Sequence, residues 1–509
     1  MSQTRIIDIN AGKPDARDEI DDNPEGFFNN FILPPKFPIE SFFTGNKYLV
    51  SGDKGSGKTS ALYYFQDHLQ KRDIHSCTSF IYFKGDFEEI RKSTFEAVAK
   101  KMTAYIDIRG DIQPDKVEYL HIWRWVFFRH IVDDCAENGN GLYEVNDTWY
   151  NFVDEVNKIN FKSDDKRVIS LSSLGLSMQV STSGGVSASA NATFDKESNN
   201  NSNFLEFVDT VDRCEQLFNK LTRTDIPYYI FVDEIEAFYG NSEMFKRDLT
   251  LIRDLIFTMH RFNKSGKVRI IGAIRNEVLF AIDRFIPTNE LNKITDGYTA
   301  PIRWDYSNTN SVNHPIIGIL MKRISLACNS PQRFEDWFPP KVNNKKTVSY
   351  ILDNGWSKPR DIVRLILAAQ NDSLHCNDTC FTQASFDSLR REYSKNSLKE
   401  IRQELQALYS ISEIEMIFQP FKGGPRYIKP SDIRERTPER SPARMFWEEK
   451  QETILEDLYR VGFLGNVRRQ QRRIITWRWN HKQNIGVFTD TGWELAIHPA
   501  LYSEFSIRM

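Results

Sequence analysis

Eight consecutive residues, Gly52-Asp53-Lys54-Gly55-Ser56-Gly57-Lys58-Thr59, have the types and spacing to hold phosphate, and Ser60 follows them. They fit the pattern G-x-x-x-x-G-K-[ST]. Glycines let successive backbone N–H groups turn inward around phosphate oxygens. A helix that starts at the loop adds its positive dipole end. Lys58 can reach the outer phosphates, and the Thr59 hydroxyl can hold Mg²⁺.

A second group lies far along the chain, where Tyr228-Tyr229-Ile230-Phe231-Val232 runs into Asp233-Glu234. Asp233 suits the hydration shell of Mg²⁺. Glu234 suits orienting or deprotonating a water, with Glu236 as the alternative base. The structural alternative for Glu234 is a helix N-terminal charge. Val268 to Ile274 is a further apolar run, capped by Arg275 and Asn276. Polar groups at that end of a parallel strand stand where a phosphate or a water is sensed. Arg284 is a candidate arginine finger toward a neighbouring subunit, or else a solvated surface charge. Lys358-Pro359-Arg360 opens another helical pattern. Proline suits a first helical turn. Arg360 would read a γ-phosphate with its fork of donors, or pair with Asp361 on the surface.

These groups need a scaffold that brings distant strands together. Lys47 to Ser51 reads as a strand before the glycine loop, and Ser60 to Phe65 as a helix after it. Thr78 to Phe83, Tyr228 to Glu234, Val268 to Asn276 and Pro301 to Asp305 read as further strands. Helical patterns lie between them, as a parallel sheet requires. The expected fold class is therefore α/β, with the sheet of a P-loop NTPase and helices on both faces. Trp123, Trp125, Phe127 and Phe128 are read as core of one such helix, because large aromatics dominate buried area. Residues 162–204 alternate apolar and small polar residues around Ser183-Gly184-Gly185, which predicts an inserted β-hairpin or meander.

The chain has 509 residues, 40% hydrophobic and 27% charged, with a net charge of −2. That composition suits a globular protein with no global attraction to nucleic acid. No apolar run reaches the length of a membrane span, so no membrane partner is expected. Six scattered cysteines fit unpaired thiols in a reducing cytosol, and the expected location is cytoplasmic.

Residues 1–25 hold seven acids against three bases and read as a loose arm. The nucleotide-type domain is expected over 26–310, a helical lid over 311–375, and a C-terminal domain over 376–509. In the last, helices precede short strands, which suggests a winged helix. Between 421 and 482 stand 15 Lys or Arg against 8 Asp or Glu. Arg468, Arg469, Arg472 and Arg473 cluster there beside Trp477, a composition that fits contact with DNA or RNA. A protein-docking module or an intramolecular brake remains the alternative.

Phosphate loop, Asp-Glu strand, Arg-Asn strand end, Lys-Pro-Arg helix and winged-helix-like tail occur in the order found in AAA+ ATPases. The chain especially resembles their STAND and Orc/Cdc6-like branch, and bacterial P-loop ATPases of genome-defence islands. The resemblance spans about residues 26–505. It implies ATP hydrolysis with Mg²⁺, homo-oligomers joined through the ATPase face, and output to nucleic acid or to a separate effector protein, in anti-phage defence. The alternative it implies is a slow-turnover signalling scaffold. By the same resemblance Lys58 is a phosphate ligand, Thr59 and Asp233 hold the metal, Glu234 is the base, and Arg275 and Arg360 are first and second sensors. The Arg-Asn strand end departs from the pattern and makes Asn276 an alternative working group to Arg275. The 162–204 insertion is foreign to the common core.

Overall fold

A computed structural model describes residues 4–508 apart from 14, 109–117, 139–140, 161–168, 171–205, 238–241, 287–289, 305–310, 407, 471–472, 481–485 and 488–491. By contacts the chain divides into two units. One comprises Pro38–Ser51 and Leu62–Pro301; the other comprises Met1–Phe37, Gly52–Ala61 and Ile302–Met509.

The first unit is built on a five-stranded sheet. Its strands are β1 (Leu49–Gly52), β2 (Cys77–Tyr82), β3 (Tyr228–Ile235), β4 (Arg269–Arg275) and β5 (Thr299–Pro301), in the order β2-β3-β4-β1-β5. β2 pairs with β3, β3 with β4, and β1 with β5, all in parallel. The Gly272 N–H donates to the Tyr48 carbonyl at 2.8 Å and joins β4 to the start of β1. The interior strands are near-continuous apolar runs because both faces are covered. Helix α1 (Lys58–Arg72) follows the glycine loop, α2 spans Glu89–Ile108, and α3 spans Leu120–Glu137. On α3, Trp123, Trp125, Phe127 and Phe128 are buried, as their composition predicts. The Trp123 indole also donates to the Leu251 carbonyl at 2.9 Å, so its polar edge is satisfied. Helices α4 (Ser242–Ser265) and α5 (Asn276–Phe285) pack on β4.

The sheet closes earlier than the sequence suggests. Its last strand ends at Pro301, and Ile302–Trp304 belongs by contacts to the other unit. The Trp304 indole there donates to the Ser56 carbonyl at 2.8 Å. An aromatic that reads as sheet core instead supports the glycine loop. The expected insertion at 162–204 lies almost wholly outside the described residues. At its entrance Ile159–Asn160 pairs in parallel with Ile169–Ser170.

The second unit is helical with an antiparallel sheet. Its helices include α6 (Pro315–Ala327), α7 (Pro359–Gln370), α8 (Gln383–Leu405), α9 (Ile411–Phe418) and α10 (Pro442–Arg460). Strands β6 (Tyr427–Ile428), β7 (Leu464–Gln470), β8 (Arg473–Arg478) and β9 (Trp493–Ile497) form a sheet in the order β6-β9-β7-β8. α7 packs on α8, so no domain boundary falls at residue 375. The loose arm expected over 1–25 is also corrected. The Ile6 and Ile7 N–H groups donate to the Asp378 and Cys376 carbonyls at 2.9 and 2.8 Å. Gln370 donates to the Ile9 carbonyl at 2.6 Å, and Glu19 pairs with Arg323 on α6 at 3.3 Å. Buried Ile6, Ile9 and Ile20 supply the apolar anchorage that the acid count conceals. Among the described residues, no helix is long and apolar enough to cross a membrane.

Candidate phosphate-binding site

β1 delivers the chain into the glycine loop, and backbone conformation explains the glycines. Gly55 and Gly57 have φ of +78° and +94°, a region that side chains disfavour. Gly52 has a second reason, since a Cβ there would collide with the Ser56 hydroxyl. At Gly57 an added Cβ would meet only Pro359 Cγ, at 3.9 Å. The first-turn N–H groups of α1 have no intrahelical acceptor and carry the positive end of its dipole. The Lys58 ammonium folds back and donates to the Gly52 and Asp53 carbonyls, both at 2.9 Å. Glycine conformation, helix start and lysine together suit an anionic oxygen cluster. Thr59 carries a hydroxyl and Asp233 a carboxylate, each an oxygen donor of the kind Mg²⁺ prefers.

α7 meets this loop at its first turn. Ser357 has φ of +54°, a strained conformation for a residue with a Cβ. Lys358 is the N-cap of α7, and Pro359 opens its first turn. The Arg360 N–H faces the Gly55 carbonyl at 3.4 Å. A Cβ on Gly55 would stand 2.9 Å from Arg360 Cβ, so this glycine is needed for close approach as well as for φ. The Arg360 guanidinium donates to Glu400 Oε1 on α8 at 3.1 Å. This corrects the alternative of an Arg360–Asp361 surface pair. Asp361 is buried and accepts from the Trp356 and Lys358 N–H groups at 2.7 and 3.0 Å.

A chain of charges continues along α8. Lys54 donates to Gln403, and Arg364 pairs with Glu400. Burial pushes the Glu400 carboxyl up, but Arg364, Lys358, Arg360 and Lys54 outweigh it and hold it below the usual range. Trp304, Lys358, Glu400 and Glu404 escape a site reading from sequence. One signal was present: Glu400 and Glu404 are four residues apart and therefore share a helix face. Their ion-pair partners Lys358, Arg360 and Arg364 lie at the start of another helix, about forty residues earlier, which no local pattern discloses.

The sheet-end residues sit at the carboxyl end of β3 and β4. Asp233 is buried and stands opposite Tyr82 of β2. Glu234 has φ of +56° and lies where the β3–β4 register shifts. Strain of this kind in a non-glycine residue clusters at functional positions. Its carboxylate faces Gly85, where a Cβ would lie 3.9 Å from Oε2. Arg275 pairs with Glu236, and with Glu277 at 3.4 Å. Glu236 and Glu277 therefore share the charge of the first-sensor candidate, and Arg275 in turn occupies Glu236, the alternative base. Asn276 is exposed at the start of α5. Arg284 is exposed near its end and lies over the Phe285 ring at 5.3 Å.

In the tail, Arg468 is exposed on β7, and Arg469 pairs with Glu494 at 2.7 Å and stacks on Tyr427 at 4.6 Å. Trp477 is half-buried against Trp479 and Tyr427. Arg473 begins β8 opposite Gln470, and Arg472 lies outside the described residues. The preceding helix α10 carries three bases and five acids. Among the described residues, no group of three or more His, Cys, Asp or Glu side chains is placed to hold a metal ion.

Residues 316–402 match a FunZ-associated C-terminal helical domain. The match runs from α6 through most of α8 and so contains Arg360 and Glu400. No curated protein matches the chain.

Proposed function

We propose that the chain is an Mg²⁺-dependent ATPase of AAA+/STAND type, with ATP phosphates on Gly52–Ser60. The observation that carries this reading is the loop itself: two positive-φ glycines and Lys58 at a helix start, fed by an interior strand of a parallel sheet. In this reading Lys58 binds the outer phosphates, and Thr59 and Asp233 hold the metal ion, which neutralises charge developing on the γ-phosphate. Glu234 accepts the proton of the attacking water. Arg360 reports on the γ-phosphate from the first turn of α7. Arg275 and Asn276 are the candidate first sensors, and Arg275 also pairs with Glu236 and Glu277. Arg284 serves a neighbouring copy in a homo-oligomer. Output passes to DNA or RNA through the tail, or to a separate effector protein in anti-phage defence.

The second reading, a slow-turnover signalling scaffold, is favoured by the ties of Lys54 and Arg360 to α8. A loop held by a helical domain suits a switch that opens rarely.

Calorimetry with ATP and Mg²⁺ tests the reading. Wild type should take up about one nucleotide per chain, and Lys58→Ala should lose most of that affinity. No uptake by the folded wild type would refute both versions. Turnover stimulated by DNA would select the first, and slow turnover indifferent to DNA the second.

A further inference from the structure

Three successive loop residues are each matched to a group on α7 or α8. Gly55 packs against Arg360, which pairs with Glu400; Lys54 donates to Gln403; Asp53 faces Lys358. The last of these is the unusual one. Lys358 is only 8% exposed, and its ammonium lies 3.8 Å from Asp53 Oδ2 and 3.5 Å from Glu404 Oε1. Asp53 is the sole acid within Gly52–Thr59. A carboxylate beside a polyanion repels it, and more strongly where water is partly excluded. Burial would push the Lys358 amine toward neutrality, but Glu404, Asp53, Glu400 and Asp361 outweigh that effect and keep it charged. The backbone fixes its position: Ser357 is strained, and Asp361 accepts the Lys358 N–H at 3.0 Å.

Resting on the nucleotide reading above, we propose that Lys358 is a positioning residue for nucleotide uptake, which cancels the Asp53 charge inside the loop and ties the loop to Glu404 of α8. It touches no phosphate in this proposal. It acts through Asp53, and removing Asp53's charge should make it dispensable.

The test is ATP·Mg²⁺ affinity by calorimetry on the full chain, with melting temperature recorded for each variant. Wild-type uptake is measured first, and its absence would refute the nucleotide reading itself. Lys358→Met combined with Glu404→Gln removes the amine without stranding a buried carboxylate. That variant should bind roughly tenfold more weakly, a mid-range coupling between neighbours. Adding Asp53→Asn should restore affinity to within about threefold of wild type. Asp53→Asn alone should bind at least as tightly as wild type. Asp53 has a side chain 33% exposed, so this single variant decides the matter if the Lys358 variant fails to fold. Wild-type affinity without Lys358, no rescue by Asp53→Asn, or clearly weaker binding by Asp53→Asn alone would each overturn the proposal with the nucleotide reading left standing. A lysine that serves only structure would lower the melting temperature and show no rescue.

Discussion

Glu234 is the residue at which local strain and proposed chemistry coincide. A left-handed backbone costs a non-glycine residue about 1–3 kcal/mol, and such strain persists only where the surroundings enforce it. Glu234→Gln preserves shape and removes the proton acceptor. Nucleotide should still bind, while steady-state turnover falls at least about a hundredfold, the scale of general-base loss. Undiminished turnover would take Glu234 out of that role. At this scale the glycine loop was legible because the pattern encodes its own backbone conformation, as Gly55 and Gly57 confirm. The state of Arg275 was not legible. Glu236, read as an alternative base, instead neutralises it, and a contact between strand ends leaves no trace in spacing.

α7 and α8 form the element pair that frames the loop, and their charges make it sensitive to acid. Glu400 is held below the ordinary carboxylate range by Arg364, Lys358, Arg360 and Lys54, against the effect of burial. The unfolded chain therefore binds more protons than the folded one as pH falls. The resulting stability is full above the unfolded pKa of about 4.3 and is lost as pH drops through the folded value. Glu400→Gln should flatten the acid limb of a stability–pH curve below about pH 4.5, measured by circular dichroism during urea titration. An unchanged acid limb would remove Glu400 from that role. Most elements of the sheet were readable from apolar runs bounded by polar ends. Two other segments were misjudged for one physical reason. Trp304 and the isoleucines of the N-terminal segment are apolar anchors that dock outside the sheet, and composition alone cannot tell where an anchor docks.

Across the helical unit, contacts run from the loop to the C-terminal sheet. Trp356, just before α7, stacks on His498 at 4.1 Å and donates to the Gly462 carbonyl at 2.9 Å. The start of α7, which carries Arg360, is thus tied to the tail through buried groups. What the tail engages is a question of charge. Arg469 is paired and α10 is net acidic, so nucleic-acid contact would rest on Arg468, Arg472 and Arg473. Replacing Arg468, Arg469, Arg472 and Arg473 together by alanine should weaken DNA binding and reduce the slope of affinity against salt. An unchanged slope would point to protein docking.

The threading of the chain has a further consequence. It passes from one unit to the other after residues 37, 51, 61 and 301, and the ten residues that carry the glycines are the shortest of these visits. No single scission, by a protease or by gene rearrangement, can release either half intact. A helical portion expressed from Ile302 onward would lack Asp53, Lys54 and Gly55, the loop residues that meet Lys358, Gln403 and Arg360. Inheriting either body whole therefore requires segments of the other to travel with it, since the chain alternates between them.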